Sequence, residues 1–241
     1  MKRIPVIAAA FLAVAGLRAQ TEAPRSSYSV TADFTYTTKY VFRGVQLARD
    51  SFQPSVEVAV GDAYVDLWTN QPIVRHEDNE IDLRAGFRRK VSGVLSIEVF
   101  GTGYWYPEAA AGGTRKSAEA GVGATYDARG VSTNLFCSYD VILKATTLEG
   151  SAGYSLALPS FGTSLDASVY AGTSSARDAR PDSGLTVRES YDYCGADLRM
   201  PYSFSESSRL TIGLHWATSW NRVPGALKNR VWFDISFSAG F

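Results

Sequence analysis

The final eleven residues, Val231–Phe241, keep a period of two to the very end of the chain. Val231, Phe233, Ile235, Phe237, Ala239 and Phe241 fall on one face, and Trp232, Asp234, Ser236, Ser238 and Gly240 on the other. Successive side chains of a strand point to opposite faces, so this segment is a strand with one apolar and one polar side. What it belongs to depends on whether the rest of the chain repeats the pattern and where the charges go.

The pattern does repeat. Alternation predicts strands near 29–43, 52–60, 62–70, 79–89, 93–105, 116–127, 131–140, 147–158, 161–171, 190–201, 208–220 and 229–241. In the first, the apolar face carries Val30, Ala32, Phe34, Tyr36, Tyr40 and Phe42; in the eleventh, Leu210, Ile212, Leu214, Trp216 and Trp220. Charge sits opposite: Glu57, Asp66, Arg84, Glu98, Glu119, Asp140, Glu149, Asp166, Asp197 and Asp234 share the polar faces. Soluble sandwiches also alternate, and two features separate the cases. The links near 60–62, 89–93, 127–131, 158–161 and 201–208 are mostly tight, while those at 43–52, 70–79, 105–116, 140–147, 171–190 and 220–229 are mostly longer. Outer-membrane barrels sort their turns and loops in this way. Aromatic residues also gather near strand ends (Tyr36, Tyr40 and Phe42; Tyr104, Trp105 and Tyr106; Tyr191 and Tyr193; Trp216 and Trp220; Phe237 and Phe241). Tyr and Trp favour the headgroup level.

The expected fold is therefore all-β: a transmembrane antiparallel up-and-down β-barrel of about twelve strands. Ten or fourteen would result if 140–160 and 172–190 read differently. A sheet in hydrocarbon leaves no unpaired edge, so the last strand must pair with the first. Past the N-terminus there is no run of about 18 apolar residues, which excludes ordinary transmembrane helices.

Export is expected as well. Lys2 and Arg3 precede an apolar stretch from Ile4 to Leu17, and Leu17-Arg18-Ala19 is an acceptable cleavage site. Residues 1–19 read as a signal peptide, 20–28 as a short segment and 29–241 as the barrel. Removing 1–19 takes away three basic residues and leaves 21 Lys and Arg against 24 Asp and Glu. Nothing in that balance points to nucleic acid. Cys137 and Cys194 are too few for a disulfide framework and read as free thiols, with a disulfide as the lesser reading.

Two segments carry a family resemblance. Tyr40-Val-Phe-Arg-Gly44 closes the first strand, and Ala63-Tyr-Val-Asp-Leu-Trp-Thr-Asn70 comes after it. Over about residues 30–70 the chain resembles the TorF-like family of outer-membrane porins from Gram-negative bacteria. The resemblance implies an outer-membrane location and a channel role, and names no solute. The terminal Phe241 also resembles the signal read by the outer-membrane assembly machinery. That machinery, outer-membrane lipid and lipopolysaccharide, and small solutes are the expected partners.

As a porin, the chain would pass small polar or ionic solutes by diffusion. Pore-lining candidates are Lys39, Arg43, Asp66, Arg84, Glu98 and His215. Lys39 and Arg43 either form a positive patch that draws anions to the mouth or pair with Asp33, Asp66 or Glu57 across strands. The longest link could fold inward, making Arg177, Arg180, Asp182 and Arg188 constriction candidates, or it faces solvent. A structural or adhesive barrel with a plugged lumen is the alternative, and a membrane-embedded enzyme the lesser one. Only His76 and His215 are available as bases, and neither has a nucleophile or metal ligands at suitable spacing. No enzyme activity, cofactor or metal is expected.

Overall fold

The computed structural model describes residues 28–110, 113–183, 186–220 and 229–241. The expected signal peptide, most of the segment at 20–28 and most of the link at 220–229 lie outside the described residues. Twelve strands run in order: β1 (Ser29–Phe42), β2 (Val45–Val60), β3 (Ala63–Pro72), β4 (Glu80–Lys90), β5 (Leu95–Trp105), β6 (Lys116–Ala128), β7 (Val131–Asp140), β8 (Ala145–Leu158), β9 (Thr163–Ala176), β10 (Glu189–Ser203), β11 (Ser208–Trp220) and β12 (Arg230–Gly240). Each pairs antiparallel with its sequence neighbours, and β12 closes on β1 with Phe34 opposite Phe237 and Tyr36 opposite Ile235. The expected closure and the strand count of twelve both hold.

Register explains why the sheet is two-sided. Val56, Leu67 and Leu83 stand abreast on β2, β3 and β4, and all three are exposed on the outer wall. One step along, Glu57, Asp66 and Arg84 stand abreast on the inner wall. A second outer row runs from Phe87 through Val99, Val122, Cys137 and Leu148. An exposed apolar girdle of this extent is a surface for lipid, not for water. Among the described residues no helix is long and apolar enough to cross a membrane, so the strands are the crossing elements. Cys137 and Cys194 are free and lie on strands whose alternation turns them outward.

At the end holding both termini, the turns 61–62, 91–94, 129–130, 159–162 and 204–207 are all tight. At the opposite, external end the links 73–79, 106–115 and 177–188 are longer. Two expected long links are corrected. The link at 43–52 is only the turn Arg43-Gly44, and that at 140–147 only residues 141–144. Arg43 and Gly44 have φ of 46° and 73°, the left-handed pair that lets two strands turn in two residues. With the turn made there, 45–51 must run back as strand.

The aromatic residues are also redistributed. Trp105, Tyr139 and Trp220 at the external end, and Tyr126, Tyr154, Tyr202 and Phe241 at the other, are exposed on the outside as a headgroup belt requires. Tyr40, Phe42, Tyr104, Tyr191 and Tyr193 are instead buried. For Tyr40 and Phe42 the cause is local. Alternation in β1 breaks at Thr38, whose hydroxyl exchanges hydrogen bonds of 3.3 and 3.2 Å with the Phe233 backbone. On β2 the register slips between Ala48 and Gln46, leaving Leu47 as the extra residue. Bulges of this kind bend a strand and re-aim the side chains beyond them.

Candidate pore lumen

Above these bulges, the β1–β2 ribbon turns into the barrel. Residues 39–49 pair across it, Lys39 with Arg49, Tyr40 with Ala48 and Phe42 with Val45, while the β1–β12 register ends at Thr37. The β2–β3 register ends at Ser51, with one further backbone bond from Ile73 to the Asp50 carbonyl. Tyr40, Phe42 and Ala48 pack with Tyr104 of β5, Leu143 of the 141–144 turn and Ala145 of β8. Strands that far apart around a barrel meet only through its interior.

The tip itself reaches the far wall. Arg43 Nη2 lies 3.2 Å from Glu119 Oε2 on β6, and the two side chains are 2% and 1% exposed. Tyr104 Oη and Ser138 Oγ also donate to Glu119, at 2.7 and 3.0 Å. The guanidinium sits 4.6 Å from the Phe42 ring centre and 5.7 Å from that of Phe136, within cation–π range. Gly44 presses against β10 and β11: a β-carbon there would lie 2.7 Å from the Thr218 carbonyl oxygen and 2.7 Å from Tyr193 Cβ. Only glycine combines that approach with its backbone angle. Leu143 is held inward because Asp140 Oδ1 accepts the amides of Ile142 and Leu143 at 2.9 and 2.6 Å.

Toward the termini the lumen is wetter. Arg84 Nη2 lies 3.0 Å from Glu98 Oε1, and Arg88 reaches Glu98 at 3.5 Å and Glu57 at 3.4 Å. Tyr64 donates to Glu98 and accepts from Arg84 Nε at 2.9 Å. At mid-height His215 of β11 stands between two carboxylates. Its Nδ1 is 2.6 Å from Asp197 Oδ1 on β10, and its Nε2 is 2.9 Å from Asp234 Oδ2 on β12, the latter a charge contact out of hydrogen-bond alignment. Trp232 stacks on the imidazole with ring centres 5.1 Å apart. Gly213 lies beneath, where any β-carbon would meet the His215 ring and Asp234.

Of the residues expected to line the pore, the structure brings Arg84 and Glu98 together, with Asp66 beside Arg84 in register. His215 lies apart, held by its two aspartates. Arg43 is paired, but with Glu119 and not with Asp33, Asp66 or Glu57. Lys39 turns to the β1–β12 seam, where its amine donates to the Val231 carbonyl. In the 177–188 link, Arg177 and Arg188 line one open cavity of about 690 Å³ with Glu189. Asp182 accepts the Arg115 amide at 3.2 Å, and the Arg180 carbonyl accepts from Ser183. Sequence reading missed Glu119, Tyr104 and Leu143 as partners of the tip, and Asp197 and Asp234 as partners of His215. The short Arg-Gly turn signature was the one available signal for the first group. Among the described residues no group of His, Cys, Asp and Glu is arranged to hold a metal.

A closed antiparallel barrel of twelve strands, apolar outside and charged within, is the fold of outer-membrane porins. The family model described as "Bacterial protein of unknown function (Gcw_chp)" matches residues 21–169, and the chain belongs to that family. No curated protein matches the sequence. Among solved structures, the NanC porin in a rhombohedral crystal form is similar with a TM-score of 0.55 at 9% identity, over 87% of this chain and 98% of that one. The KdgM porin in complex with disordered oligogalacturonate gives 0.55 at 8% identity, over 88% and 99%. The KdgM porin alone gives 0.54 at 10% identity, again over 88% and 99%. At such identities the likeness is one of fold.

Proposed function

We propose that this protein is an outer-membrane porin that passes small polar or ionic solutes by diffusion. The observation that carries the reading is the inversion of its surfaces: large apolar side chains stand exposed around the whole outer wall, while carboxylates and guanidinium groups line the inner one. Such a wall is stable in hydrocarbon and offers water a path through it. The resemblance of Tyr40–Gly44 and Ala63–Asn70 to the TorF-like porins points the same way. Lipid and lipopolysaccharide would surround the girdle, and the assembly machinery would read Phe241.

The packed external end supports a second reading, a barrel whose lumen is plugged. Planar-bilayer recording separates the two. The porin reading expects discrete conductance steps from purified, heat-modifiable protein. Folded protein that leaves the bilayer silent overturns it in favour of the plugged barrel. The enzyme reading has less to stand on, since both ring nitrogens of His215 are already taken up by the carboxylates of Asp197 and Asp234.

A further inference from the structure

The ribbon 39–49 differs from the rest of the wall. Its backbone register runs within itself, and it is folded inward from a break at Thr38 on one strand and a slip at Leu47 on the other. A two-stranded hairpin alone is marginally stable in water, so contacts made by its tip must hold it in place. Those contacts are the Arg43–Glu119 pair, the apolar packing of Tyr40 and Phe42, and the seat of Gly44 on β10 and β11. On its flanks Lys39 donates to the Val231 carbonyl, and the exposed Arg49 pairs through Nε with half-buried Glu77 at 2.8 Å.

The charge around the tip also has a sign. Glu149 and Glu80 accept from Tyr193 and Tyr106, which are neutral donors, and Asp82 stands opposite Tyr104. Arg84 and Arg88 are already committed to Glu98 and Glu57. If the tip leaves, Arg43 leaves with it, and Glu119 joins the uncompensated carboxylates.

We propose that the β1–β2 tip is a movable constriction, latched shut by Arg43 on Glu119, and that the pore it uncovers selects cations. Sealing both charges from water costs them their hydration, and the contact between them together with the two further donors to Glu119 offsets that cost only while the pair is intact. Losing either partner leaves the other buried and unpaired. The tip can relieve this by swinging outward, where its guanidinium is hydrated. Cation preference then arises from the potential of an acidic, low-dielectric tube. This rests on the reading of the barrel as a pore.

The test is single-channel recording in planar bilayers under a tenfold KCl gradient, with heat-modifiable migration confirming that each variant is folded. Wild type should show a small basal conductance with brief larger openings. Glu119→Gln and Arg43→Ala should each occupy the larger state at least severalfold longer, and the reversal potential should take the cation-selective sign. Gly44→Ala, whose methyl group has no room on β10 and β11, should open the pore without altering any charge. Folded variants with wild-type open times overturn the latch, and an anion-selective reversal potential overturns the selectivity.

A second readout is independent of conduction. In a Cys137→Ser, Cys194→Ser background, Val45→Cys at the partly buried tip should react slowly with a membrane-impermeant thiol reagent, and severalfold faster once Glu119→Gln is added. Equal labelling rates overturn the moving tip. If every protein is electrically silent while the labelling difference persists, the porin reading fails and the movable tip stands.

Discussion

At the external end of the lumen, Arg43 and Glu119 are sealed among Phe42, Phe136 and Tyr104; toward the termini, Arg88, Glu57 and Glu98 meet with side chains 36%, 20% and 19% exposed. Both are ion pairs on the inner wall of one barrel, and their distances differ little. Their energetics do not match. Breaking a sealed pair typically costs about 3–5 kcal/mol, because one charge is stranded away from water. Breaking a wet one costs about 0–1 kcal/mol, because water replaces the partner. The external end therefore behaves as a core with a charge locked into it, and the opposite half as the lining of a wet tube.

The sharpest way to break this contrast is to remove an apolar side chain from the closed end. Leu143 is buried against Tyr40 and Phe42. Leu143→Ala should lower the free energy of unfolding by about 2–5 kcal/mol, through lost burial and the cavity left behind. Urea titration of the protein in lipid vesicles measures it. A loss under about 1 kcal/mol would mean that the closed end is loosely filled, and the difference between the two halves would collapse.

His215 lies between these extremes and sharpens the comparison. The imidazole is buried, while Asp197 and Asp234 are each partly open to the lumen at 18% and 16%. His215→Ala leaves two carboxylates facing each other from β10 and β12, the strands on either side of β11, with no cation between them. Partial exposure screens them, so the expected loss is about 2 kcal/mol, below that of a sealed pair. His215→Ala combined with Asp234→Asn should recover part of it in the same urea titration. If the second change adds a further loss, carboxylate repulsion is not the cause.

Much of the barrel was legible because its governing rule is local. In Val231–Phe241 the sequence neighbours alternate, and so do the walls they face, with Phe233 outside and Asp234 inside. The rule fails where one residue is inserted. Tyr40 and Phe42 fit the apolar face of β1 by counting, yet the break at Thr38 turns them inward. No period in the sequence marks that break, because its cause is a side-chain hydroxyl standing in for a backbone partner on β12. The site was less legible for a related reason. Arg43 was singled out by its charge, but Glu119 lies 76 residues away and is reached through the lumen, where neither strand pairing nor spacing links them. His215 gained its aspartates through register alone: Asp197 is directly opposite it on β10, while Asp234 is diagonal to it on β12, opposite Gly213.

The smallest expected effect tests the wet half. Arg88 contacts Glu57 and Glu98 at 3.4 and 3.5 Å and lies over the Tyr64 ring, 4.5 Å from its centre. Its partners would not be stranded by its loss. Glu98 keeps Arg84 at 3.0 Å and the Tyr64 hydroxyl, and Glu57 is partly exposed. Arg88→Ala should therefore change the unfolding free energy by about 1 kcal/mol or less, and raised salt should shrink even that difference, since exposed charges are screened over about a Debye length. The same change removes a cation from the lumen, so the reversal potential should move toward stronger cation preference while stability barely moves. A stability loss near that of Leu143→Ala, insensitive to salt, would instead place Arg88 in a sealed environment and make both halves of the lumen one continuous core.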